Sequence, residues 1–223
     1  MAETQEAVAR FLFRPLEQGS LGEHVKAFVL KLQKGFGVFT EPVVETWPEV
    51  RKEYLRVVRR PMCLRDVLRG LDTSTGERLS CYMLVGEVVR DLLLIWSNCV
   101  LYNGADSTFG GLAASFRAES LAQLALVARR VGGVDLRGHE DLVCRLVARH
   151  FPAGGRISYP EDMDVGGEQR VPTQKELYEF RQYVDALGEL EYRALLAPLL
   201  DDAGLDALDE EVVLRFNRAN VSV

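Results

Sequence analysis

Chemistry in this chain is easiest to place at Ser97-Asn98-Cys99-Val100-Leu101-Tyr102-Asn103, the close of a long apolar run. A carboxamide can donate and accept a hydrogen bond at once. Set at the rim of a buried helix with a phenol beside it, Asn103 is poised to hold a small polar group. Asn is also a common residue at helix C-termini, so a capping role stays open beside the binding one. Elsewhere the sequence lacks a Gly-rich phosphate loop, an HExxH pair and any Ser/His/Asp or Cys/His arrangement, so no enzyme is expected. The nearest thing to a ligand set, His139, Cys144 and His150, has no common zinc spacing. Cys63, Cys81, Cys99 and Cys144 form no CxxC pair. Neither a metal nor a cofactor is expected.

The elements that position Asn103 follow from periodicity. Tyr82 to Leu101 carries large apolar residues on nearly every side, with a thin polar stripe through Glu87, Arg90, Asp91 and Asn98. Such a helix belongs inside a bundle. Gly104-Ala105-Asp106 stops it, and a further helix is expected over 108–131, with Phe109, Leu112, Ala113 and Phe116 facing inward and Gly132-Gly133 ending it. Upstream, Ser20 and Glu23 fit a capping box, opening a helix through Val25, Phe28, Val29 and Leu32 to Gly35. Residues 36–61 lack a clean period and contain Pro42 and Pro48, with a helical turn expected over Arg51 to Val58. Long loops in compact domains are usually functional. A second amphipathic piece uses Leu64, Val67, Leu68 and Leu71, before a loop at 72–76.

Residues 20–133 therefore read as a four-helix bundle with a long structured loop after its first helix. Residues 1–19 form an extension with a short helix through Val8, Phe11 and Leu12. An additional helix spans 134–151, running from Leu136 to Phe151, and 152–172, rich in Pro and Gly, is a flexible linker. Residues 173–223 form a small, mainly helical C-terminal domain, its second helix interrupted by Pro198.

With 223 residues, 48% hydrophobic content and a net charge of −6, the chain reads as soluble, with no signal peptide and an intracellular setting. General nucleic-acid binding, which needs clustered positive charge, is not expected. An acidic domain accommodates a basic peptide. One basic cluster, Arg51, Lys52, Arg56, Arg59, Arg60 and Arg65, is read either as a solvated helix face or as a phosphate contact.

These pieces together resemble a bromodomain, the acetyl-lysine-reading module. Asn98-Cys99-Val100-Leu101-Tyr102-Asn103 is similar to that family's NCxxYN ending of its third helix, with Asp91 twelve residues before Asn103. Tyr54-Leu55-Arg56-Val57-Val58-Arg59-Arg60-Pro61-Met62 is similar to its YYxIIKxPM segment, and Phe39-Thr40-Glu41-Pro42-Val43 to the start of its first long loop. The resemblance implies an all-α, left-handed four-helix bundle. It also implies an acetyl-lysine site in which Asn103 bonds the acetyl carbonyl, Tyr54 reaches it through water, and Tyr102, Val43, Phe39 and Phe109 shape the pocket. Partners would be acetylated histone tails or other acetylated proteins within a chromatin-associated complex, with no membrane, in the nucleus. Two departures stand out. Gly37-Val38 replaces the family's Trp-Pro before Phe39, which reduces the shelf beside the pocket; Cys63 replaces the usual Asp after Pro-Met, which removes a helix cap.

The C-terminal segment resembles the extra-terminal domain of bromodomain proteins through Glu211-Val212-Val213-Leu214-Arg215-Phe216. That likeness implies a partner strand pairing along Val213, with Asp209, Glu210 and Glu211 receiving Lys or Arg. Two functions remain at this point. One is a non-catalytic reader of acetyl-lysine. The other is a bromodomain-like scaffold that no longer binds the mark and works through its C-terminal domain.

Overall fold

The computed structural model describes residues 2–17, 19–71 and 82–153. The 72–76 loop, the linker beyond Ala153 and the C-terminal domain lie outside the described residues.

Helix α2 (Leu21–Gly35) buries Leu21, Val25, Phe28, Val29 and Leu32, one stripe at helical spacing. It packs on α5 (Leu64–Leu71) and α7 (Thr108–Val127), and α6 (Val85–Asn103) packs on the same two. The four helices close a ring around Ile95, Leu92, Phe116 and Leu124, which are almost fully excluded from solvent. This is the expected four-helix bundle, and among the described residues its regular elements are all helices, with one isolated bridge and no strand. No described helix is long and apolar enough to cross a membrane.

Several sequence expectations change. The capping box at Ser20 does not form: Ser20 has φ −92 and ψ 11, and its side chain makes no capping bond. An extended N-cap is what lets the hydroxyl reach the helix N–H groups; here the Gly22 N–H donates to Leu16 O at 2.9 Å instead. The third bundle helix starts at Val85, because Leu16 N–H donates to Met83 O (2.8 Å) and Val85 N–H to Arg14 O (3.2 Å), holding Leu84 extended in a bridge to Pro15. Nor is α6 buried all round, since Leu101 is 61% exposed.

The polar stripe on α6 fastens other segments. Glu87 accepts from the backbone N–H of Met83 (2.7 Å) and Leu84 (2.8 Å), closing the helix N-terminus. Asp91, buried, accepts from Tyr82 Oη at 2.8 Å and from the Arg90 guanidinium at 2.7 and 3.0 Å. Asn98 donates to Arg60 O at 2.7 Å and so ties the end of the long loop to α6.

Helix α1 (Ala2–Leu12) buries Val8, Phe11 and Leu12, and packs with α8 (Glu140–His150) and α6. α8 starts four residues later than expected, with His139 at its N-cap, although Leu136 before it is buried. Phe151 stacks on Phe13 (4.7 Å between centroids) and lies against Gly86, where an added Cβ would sit 2.3 Å from its ring. Arg117 of α7 reaches Cys144 of α8 (3.3 Å to Sγ) while lying over Trp96 of α6. α7 itself gives way to a π-helical turn at Ala128–Gly132.

Candidate functional site

Between α2 and α5 the chain is ordered by short elements: a 3-10 turn at Gly37–Phe39, α3 (Val43–Thr46), a second 3-10 turn at Pro48–Val50, and α4 (Arg51–Val57). Each is too brief to stand alone, so tertiary anchors hold them. Phe36 and Phe39 set their rings 5.4 and 5.0 Å from Phe116 of α7. Arg65 of α5 donates to both carboxylate oxygens of Glu45 (2.7 and 2.9 Å) and also pairs with Glu41, and its own N–H donates to Thr40 O. The bond from Arg65 holds the Glu45 carboxyl below its ordinary range. Arg65 thus leaves the basic cluster to lock the loop.

Loop, α6 and the start of α7 enclose a cavity of about 210 Å³. All six residues singled out as a binding set reach it: Phe39, Val43, Tyr54, Tyr102, Asn103 and Phe109. Tyr54 is 4% exposed, with its ring edge-on to Tyr102 at 5.2 Å. A phenol keeps its proton at neutral pH, and burial pushes this one further up, so it stays an O–H donor. Asn103, in the last turn of α6, is exposed at the cavity rim. Its Nδ2 donates to Cys99 O at 3.0 Å and lies 3.6 Å from Cys99 Sγ, a weak acceptor. The bond to Cys99 O fixes the amide; its second N–H meets only the weak sulfur acceptor, which a carbonyl arriving at the mouth can displace.

Phe109 departs from the inward position expected for it, being 42% exposed at the rim with its ring edge-on to Trp47 at 6.3 Å. Leu112, also expected inside, is 36% exposed. The cause is the tight turn before α7. Ser107 Oγ accepts from Gly110 N–H (2.9 Å) and donates to Gly104 O (2.8 Å). A Cβ at Gly110 would lie 2.3 Å from Gly104 O, so only glycine fits there. That turn brings the first residues of α7 to the cavity instead of the core.

Sequence reasoning missed Trp47, Val38, Val50, Cys63 and Cys99, which line the same cavity. Trp47 and Val50 stand between Val43 and Tyr54, and their placement on either side of Pro48 was the available signal. Cys63 takes over part of the missing cap: its sulfur accepts from the Asp66 backbone N–H while its thiol donates to Asp66 Oδ2 at 3.0 Å. Burial pushes both groups up, the Cys63 thiol and the Asp66 carboxyl. Asp209, Glu210, Glu211 and Val213 lie outside the described residues.

An amide donor, a protonated phenol and apolar walls around one small cavity suit a neutral group carrying a carbonyl and a methyl. Among known proteins, the chain is similar to SAGA complex subunit Spt7 of Schizosaccharomyces pombe, 35% identical over 88 residues, which are 40% of this chain and 7% of that protein. It is also similar to ATPase family AAA domain-containing protein 2 of Homo sapiens and of Pongo abelii, each 36% identical over 74 residues, 33% of this chain and 5% and 6% of those proteins. The matched stretch spans less than a tenth of each of these relatives. Residues 33–115, which carry every side chain that lines the cavity, match the family model of the bromodomain.

Proposed function

We propose that this chain is a non-catalytic reader that binds acetylated lysine in the cavity beside Asn103, on histone tails or other acetylated proteins, as part of a nuclear chromatin assembly. The observation that carries the reading is the convergence of the Asn103 carboxamide and the Tyr54 phenol on one apolar-walled cavity. Acetylation turns an ammonium into a neutral amide, whose carbonyl accepts from Asn103 and whose methyl packs against Val43 and Phe39. Unmodified lysine would have to leave water for an apolar cavity whose lining carboxylate, Glu41, is already paired with Arg65, at several kcal/mol. That difference is the selectivity. Water bridging from Tyr54 completes the hydrogen bonding.

Similarity to a subunit of the SAGA complex supports work within a multiprotein assembly. The ATPase in the other relatives' name is not carried over by a match to 5–6% of their length. A single acetyl-lysine fills a small cavity, so one-site affinity is weak and strength comes from multivalent engagement. Calorimetric titration of acetylated and unmodified forms of one histone peptide tests the reading. The full chain binds the acetylated form alone, and Asn103→Ala loses it. Equal binding of both forms refutes the proposal.

A further inference from the structure

We infer that Trp47 is a further ligand-binding residue of this site, forming with Phe109 the aromatic wall against which the methylene stem of the acylated lysine and its peptide lie. The inference rests on the acetyl-lysine reading above and goes beyond it by assigning a residue outside the six expected.

The rim is lopsided. Of the aromatic rings around the cavity, Phe39 and Tyr54 are 8% and 4% exposed, committed to the core and to the packing with Phe116 and Tyr102. Phe109 is 42% exposed and Trp47 is half-buried. At the start of the loop the wall is low: Val38 lines the cavity there without an exposed ring, and a Cβ built on Gly37 would meet nothing within 4 Å. A ligand entering the cavity therefore finds its extended apolar surface on the Trp47 side.

Trp47 is also held in place. Its N–H donates to Val43 O at 2.8 Å and its carbonyl accepts from Val50 N–H at 3.2 Å, with Pro48 fixing the backbone after it. Phe109, its edge-to-face partner at 76°, is set by the Ser107 cap. A wall fixed on both sides loses little freedom when a ligand lies on it, which is how a shallow contact contributes to affinity. Even so paired, Phe109 keeps 42% of its surface open to a ligand.

The test is calorimetric titration of the 223-residue chain as wild type, Trp47→Ala, Trp47→Phe and Asn103→Ala with one acetylated histone peptide, and a fluorescence titration of Trp96→Phe. The chain has two tryptophans, so Trp96→Phe leaves Trp47 as the reporter. Expected are a loss of about tenfold for Trp47→Ala, a change within about twofold for Trp47→Phe, and a shift in Trp47 emission on adding peptide. Trp47→Ala binding within twofold of wild type, while Asn103→Ala loses binding, overturns the inference and leaves the reader intact. The same holds if Trp47→Phe falls as far as Trp47→Ala, which marks disturbed folding and not a lost wall. Wild type that does not distinguish acetylated from unmodified peptide refutes the reader, and the wall with it.

Discussion

Two carboxamides five residues apart on α6 have opposite work, and Asn98→Ala separates them. Asn98 is 6% exposed and its amide donates to Arg60 O at 2.7 Å, the bond that ends the long loop. Removing a donor from a paired carbonyl costs about 1–3 kcal/mol. Arg60 is only half-buried, so water partly replaces the donor and the lower half of that range applies. Adding the lost packing of a near-buried side chain brings the expected loss to about 2 kcal/mol. For a unit of this size that lowers the melting temperature by about 4–8 °C. Asn98→Asp should be worse at pH 7, because it opposes a carboxylate to the carbonyl. That carboxyl would titrate well above its ordinary range in the folded protein. Its penalty is therefore absent below the unfolded value of about 4 and grows as pH rises towards the folded value. Urea denaturation at pH 7 and pH 4.5 measures both variants. Asn98→Ala within 0.5 kcal/mol of wild type, or Asn98→Asp showing no recovery on acidification, would mean that the clasp does not hold the loop.

Gly86→Ala should cost about 1–3 kcal/mol, since its Cβ would lie 2.3 Å from the Phe151 ring and force α8 off α6; thermal melts read it, and an unchanged midpoint contradicts the packing. Asp66→Asn has a pH signature. Burial raises the Asp66 carboxyl, so ionising it costs the fold; the cost is absent below the unfolded value of about 3.9 and grows as pH rises to the folded value. The variant should then be more stable than wild type at pH 7 and lose that advantage near pH 3.5, as paired denaturation curves would show; an advantage that does not depend on pH refutes the burial argument.

The bundle was readable because its elements are long and periodic: the stripe from Leu21 to Leu32, and the apolar runs of α6 and α7, carry their own signal. What escaped depended on distant partners. Nothing local shows that 82–84 pairs with 14–16, so periodicity alone begins α6 three residues early. Ser20 has the right residue type for a cap but the wrong backbone. Phe109 reads as core by spacing, yet a serine cap and a glycine in close contact turn it to the rim. In the loop, prolines marked irregularity but not the short turns that aim Trp47 at the cavity. Of the candidate site, the positions resting on the family-like motifs converge on one cavity, whereas the extra wall residues needed the fold.

The most direct test watches the Asn103 side chain itself. In a 15N-labelled sample its NH2 signals are assigned by their absence in Asn103→Asp. Titration with an acetylated peptide should shift those signals, while the unmodified peptide leaves them in place. An Asn103 amide that stays put while the acetylated peptide binds, or that moves equally with both peptides, would contradict the assignment of this cavity to acetyl-lysine.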